Sequence, residues 1–110
     1  MQPLKGYRVL DLTHVLAGPC ATHHLLCLGA EVIKIERPES GDPLRALAVQ
    51  PDLEGLPPTF RALNAGKKSV VVDLATPEGK ETVLRLAEGA EVFADMRDLP
   101  ALLASGQRGT

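Results

Sequence analysis

The chain has 110 residues, a net charge of −2 and 45% hydrophobic residues, enough for one modest domain with an aliphatic core. Only 3% of residues are aromatic, which argues against base-stacking platforms for single-stranded nucleic acid, and the slightly acidic balance gives no basic footprint for DNA or RNA. No apolar run approaches the roughly 20 residues that cross a bilayer, and the opening MQPLKGYR lacks the apolar segment of a secretory signal.

The expectation is therefore a cytoplasmic protein with neither nucleic acid nor membrane as partner. Cys20 and Cys27 fall on one predicted helix, about 10 Å apart along its axis. That separation forbids a disulfide within the helix, so reduced thiols are expected.

The stretch from Gly6 to Arg37 reads as strand, turn, helix, strand. Tyr7–Leu12 is a short apolar run that suits a buried strand. A turn over Thr13–Gly18 ends in Ala17-Gly18-Pro19, and Pro suits a first helical turn, where its missing N–H costs nothing. Residues 20–28 continue as helix and Gly29 stops it. Glu31–Glu36 follows as a second strand around Val32, Ile33 and Ile35. Two parallel strands joined by a helix make a right-handed βαβ unit. Such a unit sets the helix N-terminus at the carboxyl end of the first strand, where anionic ligands bind.

Residues 38–58 are irregular, with Pro38, Gly41, Pro43, Pro51, Gly55, Pro57 and Pro58, and one helical turn expected within Leu44–Val49. A loop this long is expected to be functional, a lid or an excursion toward a partner. Thr59–Asn64 predicts a short helix ended by Ala65-Gly66, and Ser69–Leu74 is the most β-like run of the chain. Thr76 is the expected N-cap of the next helix, with Pro77 in its first position and Glu78 beside the positive dipole end. Val83, Leu84 and Ala87 share one face, Glu81 and Arg85 pair outside, and Gly89 stops the helix. Glu91–Ala94 is a short fourth strand, followed by a weak helix over Pro100–Ala104 and a polar tail. Strands and helices in alternation imply an α/β fold with a mostly parallel sheet of about four strands and flanking helices. Parallel strands need both faces covered, so this few elements should leave a face or an edge unfinished.

Several residues invite chemistry. Cys20, His23, His24 and Cys27 have i, i+3, i+4, i+7 spacing, but ligands spread over two helical turns cannot converge on one zinc ion. One packed helix face is the plainer account, and no metal is expected. A nicotinamide-dinucleotide site would place Glu36 on a ribose, yet the G-x-G-x-x-G turn is missing: Gly18 stands alone before Pro19. Asp11, Glu36 and Asp73 lie at strand ends, where carboxylates more often cap turns or pair with cations. Arg37 and Arg97 follow the second and fourth strands, on the ligand-binding edge, whereas Arg61, Lys67 and Lys68 precede the third.

PLKGYRVLDLTHVLAGP, LGAEVIKIERPESGDPLR and LNAGKKSVVVDLATPEGKETVLRLAEGAEVF, in this order and spacing, closely resemble the amino-terminal part of family III CoA-transferases (CaiB/BaiF type). That family includes formyl-CoA and carnitine CoA-transferases and α-methylacyl-CoA racemases. The resemblance covers about residues 3–94. It implies a Rossmann-like large domain over residues 1–98, incomplete relative to the family, with a divergent tail over 99–110. It also implies an interlocked homodimer, with coenzyme A or acyl-CoA as substrate and a carboxylic acid as the other partner. Carried over by position, the CoA-contacting residues are Leu16 and Ala17, Arg37, then Val72, Asp73, Leu74 and Ala75, then Met96, Arg97 and Asp98. Lys67 and Lys68 match a basic pair of the family and are expected to be structural or rim charges.

Departures accompany the match. Leu16 replaces a residue that is often polar, Ala75 stands where some members carry lysine, and A-D-M-R-D-L-P replaces V-E-N-F-R-P. In the family's transferases the catalytic aspartate lies further along the chain, and none of Asp11, Asp42, Asp52, Asp73, Asp95 or Asp98 matches it. The reading is thus an amino-terminal segment of a CoA-transferase holding part of a CoA site without the catalytic group. The alternatives are a segment of an acyl-CoA racemase and a non-catalytic CoA-binding module.

Overall fold

A strand that is hydrogen-bonded on both edges and covered on both faces must carry buried residues at every position, and Glu31–Glu36 does so from Val32 onward. This strand, β2, lies beside β1 (Arg8–Asp11) in parallel, with Leu10 opposite Ile33. On its other side β3 (Lys68–Val71) pairs with Val70 opposite Ile35. The short β4 (Val92–Ala94) pairs with the far edge of β1, with Phe93 opposite Leu10. The computed structural model describes residues 2–46 and 57–95. Among them the sheet is wholly parallel, in the order β3-β2-β1-β4. The chain steps outward from β1 to β3 and then returns to the opposite side of β1. The order reverses between β1 and β4, the kind of switch point at which open α/β sheets hold ligands.

The helices are α1 (Ala17–Cys27), α2 (Pro58–Asn64) and α3 (Pro77–Glu88), with a 3-10 turn at Pro43–Ala46. Helix α1 starts two residues ahead of the expected Pro19, which still falls in the first turn. Strand β3 ends earlier than the apolar run suggests. Val72 N–H still bonds the Glu36 carbonyl at 2.9 Å, and then Asp73 turns the chain by accepting Ala75 N–H at 2.9 Å. The expected helix over Pro100–Ala104 and the rest of the tail lie outside the described residues.

Period-two alternation divides the sheet into unlike faces. Leu10, Leu12, Ile33, Ile35 and Val72 pack against Val83, Leu86 and Ala87 of α3. On the opposite face Val9, Ala30 and Val32 meet Leu25 and Leu26 of α1. That second cluster is smaller because Asp11, Lys34 and Glu36 occupy the rest of its strands, all buried.

Helix α3 is held at its start by the expected cap. The Thr76 hydroxyl oxygen accepts Gly79 N–H at 3.0 Å, and a Cβ at Gly79 would lie 1.9 Å from the Asp73 carbonyl oxygen. Thr76→Ala should therefore lower unfolding free energy by about 1 kcal/mol. Gly79→Ala should cost more than Thr76→Ala, because a backbone atom must move, and urea unfolding of both variants measures the difference.

Candidate functional site at the carboxyl rim

All strands of the sheet send their trailing residues to one rim, and there they enclose a cleft of ≈ 260 Å³. Its floor is apolar: Leu12 follows β1, Ile35 is the penultimate residue of β2, and Val72 and Leu74 follow β3. Its rim is polar: His14 comes from the turn after β1, Arg37 directly follows β2, and Asp95 directly follows β4. An apolar slot with a cation at its mouth suits a ligand that is part hydrocarbon and part anion.

Arg37 is aimed by its own loop. Its Nε–H donates to the Gly41 carbonyl at 3.2 Å, while Gly41 N–H returns to the Arg37 carbonyl at 3.2 Å. Gly41 has φ +62°, and a Cβ there would stand 2.7 Å from Glu36 Oε1, so the loop requires glycine.

Beneath α1 lies a layer of paired charges. Asp11 Oδ2 accepts from Lys67 Nζ at 3.1 Å and from the Thr22 hydroxyl at 2.7 Å. Its Oδ1 accepts the Thr13 N–H at 2.8 Å and the Thr13 hydroxyl. Lys67 Nζ also reaches the Pro19 carbonyl at 3.0 Å and Asn64 Oδ1 at 2.9 Å, tying α1 to the end of α2. Burial pushes the Lys67 ammonium below the ordinary lysine range, against the attraction of Asp11. Lys34 Nζ meets Asp42 Oδ2 at 2.9 Å. Burial opposes ionisation of Asp42, yet the Leu44 N–H and Lys34 outweigh it and its carboxyl titrates below the usual range. Glu36 takes both arms of Arg45, at 2.7 and 2.8 Å, and accepts the Asp42 N–H at 3.0 Å and the Ser69 hydroxyl. Burial again opposes its ionisation, but Arg45, Ser69 and the Asp42 N–H bring it to about 2. Arg45 in turn lies over the Phe60 ring, 4.1 Å from its centroid.

Of the residues singled out by sequence, Arg37, Val72 and Leu74 line the cleft together. Leu16 and Ala17 are exposed at the entry to α1 and do not line it, nor do Asp73 and Ala75 on the loop after β3. Met96, Arg97 and Asp98 lie outside the described residues. Asp11 and Glu36 are committed to buried ion pairs, and Asp73 to its turn. Lys67 is not a rim charge, since its side chain is only 1% exposed, whereas Lys68 is exposed and meets Glu31 at 2.6 Å. In the cysteine–histidine row, Cys27 Sγ and His23 Nε2 approach to 3.6 Å. Among the described residues no three histidine, cysteine or acidic side chains could hold a metal ion, and no helix is long and apolar enough to cross a membrane. Sequence reasoning misses Leu12, His14, Ile35 and Asp95 as cleft residues. Their signal is position: each lies at or just past the carboxyl end of a predicted strand.

Comparison with known proteins agrees with this fold. The pattern of CoA-transferase family III matches residues 4–103. Succinyl-CoA:glutarate CoA-transferase of Mus musculus is 46% identical over 95 residues, covering 86% of this chain and 22% of that protein. A probable fatty acyl-CoA transferase of Mycobacterium tuberculosis, Rv3272, is 47% identical over 94 residues, 86% of this chain and 24% of its own length. The crystal structure of a mutant of Rv3272 superposes with a TM-score of 0.75 at 46% identity, covering 86% of this chain and 25% of that one. A CAIB/BAIF family protein from Brucella suis gives 0.76 at 42% identity, with 84% and 25% covered. The chain thus spans about a quarter of the length of the relatives it matches.

The charged layer makes stability depend on acid. Glu36 titrates at about 2 in the folded chain against an ordinary 4.5, so between these values the unfolded chain binds more protons. Stability should be fully present above pH ~4.5 and lost as pH falls toward ~2, by about 3 kcal/mol from this group. Glu36→Gln should be less stable at neutral pH and lose less between these limits. Urea midpoints measured across that range check both statements.

Proposed function

Because the chain belongs to CoA-transferase family III, we propose that its carboxyl-rim cleft binds the coenzyme A portion of an acyl-CoA. The observation that carries the reading is that all strands of the sheet deliver residues to one apolar slot with Arg37 at its mouth. In this proposal Leu12, Ile35, Val72 and Leu74 receive the apolar part of the ligand. Arg37 pairs with a phosphate or stacks on the adenine. The N–H groups of Leu16 and Ala17 at the start of α1 and the backbone of Asp73 and Ala75 supply hydrogen bonds. Met96, Arg97 and Asp98 complete the set by their position in the sequence.

The reaction served is transfer of CoA between a thioester and a carboxylic acid. The matched relatives carry names of CoA transfer, which favours transfer over racemisation of an acyl-CoA. Asp11, Asp42 and Asp73 are engaged in ion pairs and turns, so none of them is proposed as the acyl-carrying group. These residues are proposed to bind and orient, with homodimeric assembly and a cytoplasmic location as parts of the same reading. Isothermal titration of the 110-residue chain with CoA tests it. Micromolar binding is expected, weakened roughly tenfold or more by Arg37→Ala through loss of a charge-assisted contact. No binding by the unaltered chain would overturn it.

A further inference from the structure

His14 and Arg37 stand on different segments, the turn after β1 and the loop after β2, and both face the cleft. One buried carboxylate joins the segments. Asp42 Oδ1 accepts the Val15 N–H at 3.1 Å and the Leu44 N–H at 2.9 Å, and Oδ2 meets Lys34 Nζ at 2.9 Å. The same ammonium donates to the Thr13 carbonyl at 3.1 Å, so the turn is gripped on both sides of His14. Within the loop, Asp42 N–H donates to Glu36, and the preceding Gly41 carbonyl receives Arg37.

The gripped turn is strained. Val15 has φ +72°, a left-handed conformation that a β-branched residue adopts only when its surroundings force it. A buried ion pair is a poor source of net stability compared with apolar packing, which points to another use for this one.

We propose that Asp42 is a positioning residue of the cleft. It holds Val15 left-handed, which fixes the turn carrying His14, and through Gly41 it fixes the loop carrying Arg37. The proposal rests on the CoA reading for the ligand, but not for the clamp.

The test combines Asp42→Ala and Val15→Gly, singly and together, in the 110-residue chain. Asp42→Ala should weaken CoA binding about tenfold, the cost of one unsupported left-handed residue. Glycine takes that conformation freely. Adding Val15→Gly should therefore bring binding back to within about threefold of the original. The unfolding midpoint should stay low, because Lys34 remains buried without its partner. If Val15→Gly changes binding equally with and without Asp42, the residue is merely structural and the proposal is overturned. Should Asp42→Ala fail to fold, the same cycle with Asp42→Asn makes the same distinction. The amide–Hα coupling of Val15 in ligand-free protein separates the two readings. A coupling unchanged by substitution of Asp42 overturns the clamp whatever CoA does. A changed coupling in a chain that binds no CoA supports the clamp and sinks the CoA reading.

Discussion

A charge buried on a central strand must find its opposite, and that requirement shapes the carboxyl-rim end of this protein. Asp11, Lys34 and Glu36 project from β1 and β2 beneath α1, each 2% exposed or less. Leaving any of them unpaired would cost several kcal/mol. None of the charged partners comes from the sheet itself. Lys67 arrives from the segment that enters β3, and Asp42 and Arg45 arrive from the loop after β2. The pairs therefore fix where those segments run, and one of them, the loop after β2, carries Arg37 to the cleft.

The two faces of the sheet divide the work. The α3 face is aliphatic and supplies most of the burial that favours folding. The α1 face gives up apolar area to ions, which gain little in net stability but admit few alternative arrangements. Arg45 serves three ends at once: it neutralises Glu36, covers Phe60 and anchors the loop that aims Arg37. Asn64 and Thr22 act similarly around Lys67, joining α2 to α1 across a shared ammonium.

The elements were legible because their punctuation is local. Thr76-Pro77 opens α3, Gly29 follows α1, and the apolar runs of β1 and β2 stand where they are expected. The cleft was partly legible, since strand ends in a parallel sheet share one rim and Arg37 sits at one of them. The charged layer was not legible, because its partners are distant in sequence: Asp11 and Lys67 are 56 positions apart. One clue was present. In EVIKIE, Lys34 and Glu36 alternate with Ile33 and Ile35, so if the strand is central both faces are buried and those charges must be paired. The adjacent lysines divide by the same alternation: Lys68 turns outward to Glu31 while Lys67 is drawn beneath α1. The chain's irregular middle offered no such rule. There the position of Asp42 depends on Lys34, Val15 and Glu36 at once.

The register of β2 links the layer to the cleft. Glu36 is the strand's last residue and faces the ions, and Arg37 comes next and lines the slot with Ile35. Neighbouring residues of an extended chain point to opposite faces, so burying Glu36 on one side turns Arg37 to the other. A slip of one residue would exchange them, placing an arginine among buried cations and a carboxylate at the mouth of the cleft. Arg45 and the Asp42 N–H forbid that slip because they match Glu36 and cannot match a guanidinium. The buried charges thus decide which way the rim cation faces.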